Sequence, residues 1–121
     1  MLPDLCLEAE LSKPRTEGGT GAIVSWAGKL WVVTYVSSKK GSGDGTGLFE
    51  IDRDFVLRKH PESLPGTYAN RMVHYPSNQL IIGPHVIAAE GKVRTVKKFE
   101  AHRLGGTMEH LTDPKNKVYI L

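Results

Sequence analysis

Gly18-Gly19-Thr20-Gly21-Ala22-Ile23-Val24-Ser25-Trp26-Ala27-Gly28-Lys29-Leu30-Trp31-Val32-Val33-Thr34-Tyr35 decides how this chain folds. Within it two apolar runs, residues 22–26 and 30–35, flank the turn Ala27-Gly28-Lys29. That is a β-hairpin pattern: glycine accepts the positive φ that tight connections demand, and the β-branched and aromatic residues on either side suit strands. The opening Gly19-Thr20 returns as Gly66-Thr67 and Gly106-Thr107, at spacings of 47 and 40 residues.

Each return brings back a strand-turn-strand segment. After Gly66-Thr67 come Met72-Val73-His74-Tyr75, the turn Pro76-Ser77-Asn78-Gln79, and Leu80-Ile81-Ile82. After Gly106-Thr107 come Glu109-His110-Leu111-Thr112, the turn Asp113-Pro114-Lys115-Asn116, and Lys117-Val118-Tyr119-Ile120-Leu121. Gly28, Asn78 and Asn116 mark the matching turns, and each is expected to take positive φ. The first two units continue with a second hairpin: Leu48-Phe49-Glu50-Ile51 with Phe55-Val56-Leu57-Arg58, and His85-Val86-Ile87 with Val93-Arg94-Thr95-Val96. Phe49 and Ile51 alternate with Glu50 and Asp52, the period of a half-exposed strand.

Self-similarity at this spacing, filled with short strands, is the signature of β-propeller blades. The expected fold is all-β, with four-stranded antiparallel blades numbering about two and a half. Residues 1–17 carry an outer strand, 5–11, of a preceding or closing blade; 18–65 form the first blade, 66–105 the second, and 106–121 the first half of a third. Rings of this kind take about four to eight blades, so these residues make an incomplete ring. The remainder of a longer chain, or a second copy whose strand 5–11 closes the unfinished blade, is expected to complete it.

Composition narrows the classes of function. No run approaches the roughly 18 apolar residues of a membrane span, and the N-terminal residues lack the basic start and long apolar stretch of a signal peptide. The formal charge of +3 is spread over Lys39-Lys40, Arg58-Lys59 and Lys97-Lys98, interspersed with acids. A nucleic-acid surface would gather its charge on one face and interleave aromatics, so neither nucleic acid nor membrane is an expected partner. Cys6 is the single cysteine and excludes an internal disulfide. The glycine-rich stretch 41–47 runs on into a strand; a phosphate-binding loop would open a helix.

Ligands of radial folds sit where the inner strands converge, so the richest approach, Thr67-Tyr68-Ala69-Asn70-Arg71-Met72-Val73-His74, supplies the candidates. Arg71 offers a rigid donor fork and Asn70 both donor and acceptor; either they anchor a polar ligand or they tie neighbouring blades through backbone carbonyls. Tyr75 and Trp26 offer rings that stack on a sugar or pack between blades. His74 and His110 complete the candidate set, His110 with Glu109 as an acid/base couple. The spacing of His74, His85 and His110 fits no zinc motif, and no metal or cofactor is expected.

The phrases at 18–35, 67–74 (Thr-Tyr-Ala-Asn-Arg-Met-Val-His) and 77–84 (Ser-Asn-Gln-Leu-Ile-Ile-Gly-Pro) resemble the opening blades of large, mostly uncharacterised bacterial β-propeller proteins. The resemblance implies a parent exported to the periplasm or beyond and associated with glycans, and it carries Asn70, Arg71 and His74 over as a candidate site. Three functions stay open: a ligand-binding or interaction module for carbohydrate, a piece of a glycan-processing enzyme using His74, Glu109 or His110, and a truncated product with no activity of its own.

Overall fold

The computed structural model describes residues 15–38 and 46–121; the expected strand at 5–11, Cys6, the Lys39-Lys40 pair and most of the glycine-rich stretch lie outside them. The described residues are mostly β-strand in antiparallel sheets, with helix limited to the 3-10 turns Tyr75–Ser77 and Lys97–Phe99. Strands β1 (Arg15–Trp26), β2 (Lys29–Ser38), β3 (Leu48–Ile51) and β4 (Leu57–Lys59) form a first four-stranded sheet in chain order. Following β5 (Thr67–Tyr68), the strands β6 (Arg71–His74), β7 (Gln79–Ile82), β8 (His85–Ala88) and β9 (Val93–Thr95) form a second. After β10 (Arg103–Leu104), β11 (Thr107–Glu109) and β12 (Val118–Ile120) pair as a third hairpin.

The turns explain where strands stop. Ala27 and Gly28 both take positive φ, 49° and 74°, the primed geometry whose twist matches the flanking strands. Asn78 closes the second hairpin at φ 51°. The third departs from expectation: Asn116 is absent from the positive-φ residues, and it holds the turn by donating its Nδ2 to Asp113 Oδ1 at 2.9 Å. The strand expected at 109–112 ends at Glu109 because His110 Nδ1 accepts from the backbone N–H of Thr112 and Asp113, at 3.3 and 3.1 Å, and curls the chain. In the first sheet the outer strand starts at Leu57, two residues later than expected. Asp52 Oδ1 accepts from the N–H of Asp54 and Val56, Arg58 grips Oδ2, and Phe55 is held at φ 60° inside the turn.

The Gly-Thr punctuation also falls at three unlike places. Thr20 lies within β1, Thr67 opens β5 and Thr107 opens β11. β5 runs parallel to β10, pairing Thr67 with Arg103 and Tyr68 with Leu104. The two-residue bridge ties the chain leading into the second sheet to the chain leading into the third hairpin. Its length is below any readable periodicity.

Face alternation separates two cores. Trp31, Val33 and Leu48 of the first sheet meet Leu80, Ile82 and Ile87 of the second, with Tyr68 and Leu104 between them. Val32, Phe49 and Ile51 form a separate cluster; they alternate along β2 and β3 with residues of the first core and so occupy the opposite face. Tyr68 is the central plug: its hydroxyl reaches the carbonyls of Pro65 (2.7 Å) and Phe99 (3.1 Å), and burial pushes its phenol well above the usual range. Gly21 is the extra residue of a β-bulge between Thr20 and Ala22, and a side chain there would run into the Tyr68 carbonyl. Fully burying each large apolar side chain contributes about 1.5–3 kcal/mol, so this interface carries much of the stability. No helix among the described residues is long and apolar enough to cross a membrane.

Candidate functional site

Two of the candidate residues tie sheets together. The indole Nε1 of Trp26, at the end of β1, donates to Ala88 O at the end of β8, 3.0 Å away, and Trp26 O accepts from Trp31 Nε1 at 2.9 Å. Asn70 is 1% exposed. Its Nδ2 donates to Gly83 O at 2.9 Å and to Thr107 Oγ1 at 3.0 Å, joining the second sheet to the third hairpin. Its backbone N–H donates to Leu104 O and its carbonyl accepts from Gly83 N–H. Asn70 Oδ1 is buried without a hydrogen-bond partner.

The two histidines clasp one turn. His74 is buried, and its Nε2 lies 2.7 Å from Pro114 O. A carbonyl can only accept, so Nε2 carries the proton; in the neutral ring Nδ1 then accepts from the Ser77 hydroxyl at 2.6 Å. His110 accepts the amides of residues 112 and 113 and stacks on Tyr119, with ring centroids 4.7 Å apart. Both imidazoles therefore hold the segment between β11 and β12. Glu109 is exposed. Arg71 is exposed, and its side chain makes no hydrogen bond or ion pair among the described residues. Tyr75 is 82% exposed in its 3-10 turn. Of the six candidates, His74 lines a cleft.

That cleft, about 320 Å³, opens between the second sheet and the third hairpin. Gln79 and Ile81 of β7, Val86 of β8 and Arg94 of β9 form one wall; His74 and Ser77 close one end; residues 115–118 form the other wall. Alternation in the sheet places these side chains: His74 pairs with Gln79, Met72 with Ile81, and Val86 with both Ile81 and Arg94. Ile81, Val86 and Val118 make an apolar strip, while Arg94, Lys115 and Lys117 bring three cations to its margin. Lys117 Nζ stands 3.7 Å from Asp113 Oδ2, whose other oxygen accepts from Asn116. Sequence reasoning passed over Arg94, Lys115 and Lys117 because they lie 21 and 23 residues apart across two elements.

A second hollow, about 350 Å³, is lined by Thr20, Gly21, Tyr35, Thr67 and Ala69 and carries no charged group. Among the described residues no three His, Cys, Asp or Glu side chains gather as metal ligands would. No known protein family, curated protein or solved structure matches the chain.

Proposed function

We propose that these sheets belong to a β-propeller acting as a ligand-binding module, and that a sugar-like polar ligand occupies the cleft between the second sheet and the third hairpin. Support for the radial arrangement comes from two meanders of equal strand number packed face to face. First strands also meet where β11 lies against β6, and the linking strand β5 lies against β1 and β2. A closed ring takes about four to eight such sheets, so further sheets, from a longer chain or a second copy, complete it.

The single observation behind the binding reading is the make-up of the cleft. An apolar strip suits the C–H face of a pyranose, and Gln79, Ser77, Asn116 and the cations beside it are donors and acceptors suited to hydroxyl groups. A catalytic reading is less well supported. Both ring nitrogens of His74 are engaged, and Glu109 lies outside the cleft lining.

Saturation-transfer NMR with a panel of monosaccharides and oligosaccharides tests the proposal. Transfer to at least one sugar is expected, together with its loss in Gln79→Ala and its retention in Arg71→Ala, which lies away from the cleft. Binding that ignores Gln79→Ala, or no binding by any sugar, overturns it; release of shortened products would favour the enzyme reading instead.

A further inference from the structure

We infer that the ligand of this cleft is an acidic sugar, one carrying a carboxylate or sulfate on its ring; this rests on the sugar-binding reading above. Charge is the first ground. Arg94 reaches the cleft from β9 while Lys115 and Lys117 reach it from the opposite wall. Among the described residues the nearest compensation for Lys117 is Asp113 at 3.7 Å, and that carboxylate is shared with Asn116. Glu109 stands opposite Val118 on β11 but is not part of the lining. Three cations against these two carboxylates leave a positive excess.

The missing platform is the second ground. Neutral sugars are commonly held by stacking their C–H face on a Trp, Tyr or Phe ring, and none of these lines this cleft, whose one ring, the His74 imidazole, is tied to Pro114 and Ser77. Tyr75 projects into solvent and the Trp26 indole is committed to Ala88. Ile81, Val86 and Val118 supply contact area without a π-face, so charge-assisted hydrogen bonds must provide most of the attraction. The planar fork of Arg94 suits a carboxylate or sulfate bidentately, and Lys115 adds a point charge across the gap. The division of labour is then clear: cations take the acid group, Gln79 takes ring hydroxyls, and the apolar strip takes the ring's flat side.

Calorimetric titration of the full chain with galactose, galacturonate and galactose 6-sulfate tests this, because the three differ at one ring substituent. At least one acid should bind about tenfold tighter than galactose, since hydrogen bonds to charged groups are worth more than neutral ones. That advantage should shrink between about 20 and about 200 mM salt. Arg94→Ala and Lys115→Ala, both exposed, should each weaken the acid about tenfold and weaken galactose by clearly less, so that the preference for the acid shrinks; an equal loss for acid and galactose counts against the inference. Preference for galacturonate assigns the group as carboxylate, and preference for the sulfate ester assigns sulfate. Equal binding of galactose and both acids overturns the inference and leaves sugar binding standing. No binding by any of the three in calorimetry, with no sugar found by NMR, overturns both. Inorganic sulfate binding as tightly as the acidic sugars also overturns it, the site then being a plain anion site.

Discussion

Acidification should destabilise this protein through His85. The imidazole is 0% exposed in the core between the two four-stranded sheets. Thr95 donates its hydroxyl to Glu62 O, 2.9 Å away, so its oxygen accepts from His85 Nδ1–H at 2.8 Å. Nε2 is left with a lone pair and no partner, and the Tyr68 ring stands edge-on 6.5 Å away. Protonation would add a buried charge and an unmatched donor. Desolvation, with a smaller contribution from His60, pushes the imidazole down to about 3 from 6.5.

The sign follows from the proton count: below 6.5 the unfolded chain binds a proton that the folded chain refuses. The stability is therefore complete above about pH 6.5 and is lost as pH falls toward 3. At about 1.4 kcal/mol per unit, the loss is about 2 kcal/mol by pH 5 and about 3 kcal/mol by pH 4, a large part of the 5–15 kcal/mol typical of a folded domain. Urea titrations followed by the fluorescence of Trp26 and Trp31, at several pH values, measure it. His85→Leu removes the titrating group and leaves Thr95 bonded to Glu62, so the difference between the two proteins should grow steadily on acidification. Parallel pH profiles for wild type and His85→Leu would refute the reasoning.

Three further outcomes are expected from the inter-sheet contacts. Gly21→Ala places a methyl group against the backbone carbonyl of Tyr68 and should cost about 2–4 kcal/mol, read as a lowered urea midpoint; an unchanged midpoint would mean that β1 and β5 do not meet as described. Asn70→Ala strips the donor from Gly83 O and Thr107 Oγ1 and should cost about 1–3 kcal/mol, whereas Arg71→Ala should leave the midpoint where it was; the reverse ranking would mean that Asn70 does not tie the second sheet to the third hairpin as described. Trp26→Phe keeps the ring but loses the bond to Ala88 O, with an expected loss of about 0.5–1.5 kcal/mol and faster amide exchange at the β8–β9 turn; full protection of that turn in the variant would count against the tie.

Hairpins were legible in the sequence because each combined period-2 alternation with a punctuating turn. Leu80 and Ile82 face the first core while Ile81 faces the cleft, as alternation requires. Boundaries failed where a side chain redirected the backbone. Asp52 captured two amides and delayed β4, and His110 captured two and ended β11. The β5–β10 bridge was invisible, for a pair of two-residue strands 36 positions apart leaves no pattern. Of the cleft only His74 was singled out beforehand. Arg94 reads as the exposed member of Val93-Arg94-Thr95, and Lys115 and Lys117 read as turn residues; only the packing of the hairpin on the sheet brings them together.

The fate of the polar candidates has a common cause. Turns between neighbouring strands present carbonyls outside the strand ladder, and such carbonyls take up donors from nearby side chains. Gly83, Ala88 and Pro114 present such carbonyls, and Asn70, Trp26 and His74 satisfy them. Asn70, Trp26 and His74, at or beside the ends of first strands, are thus used by the architecture, while Arg71 at the start of β6 stays exposed. Chemistry free for a ligand lies where two faces diverge toward solvent and no carbonyl competes. Arg94, Lys115 and Gln79 occupy that ground between the second sheet and the third hairpin, which is why the proposed ligand is placed there.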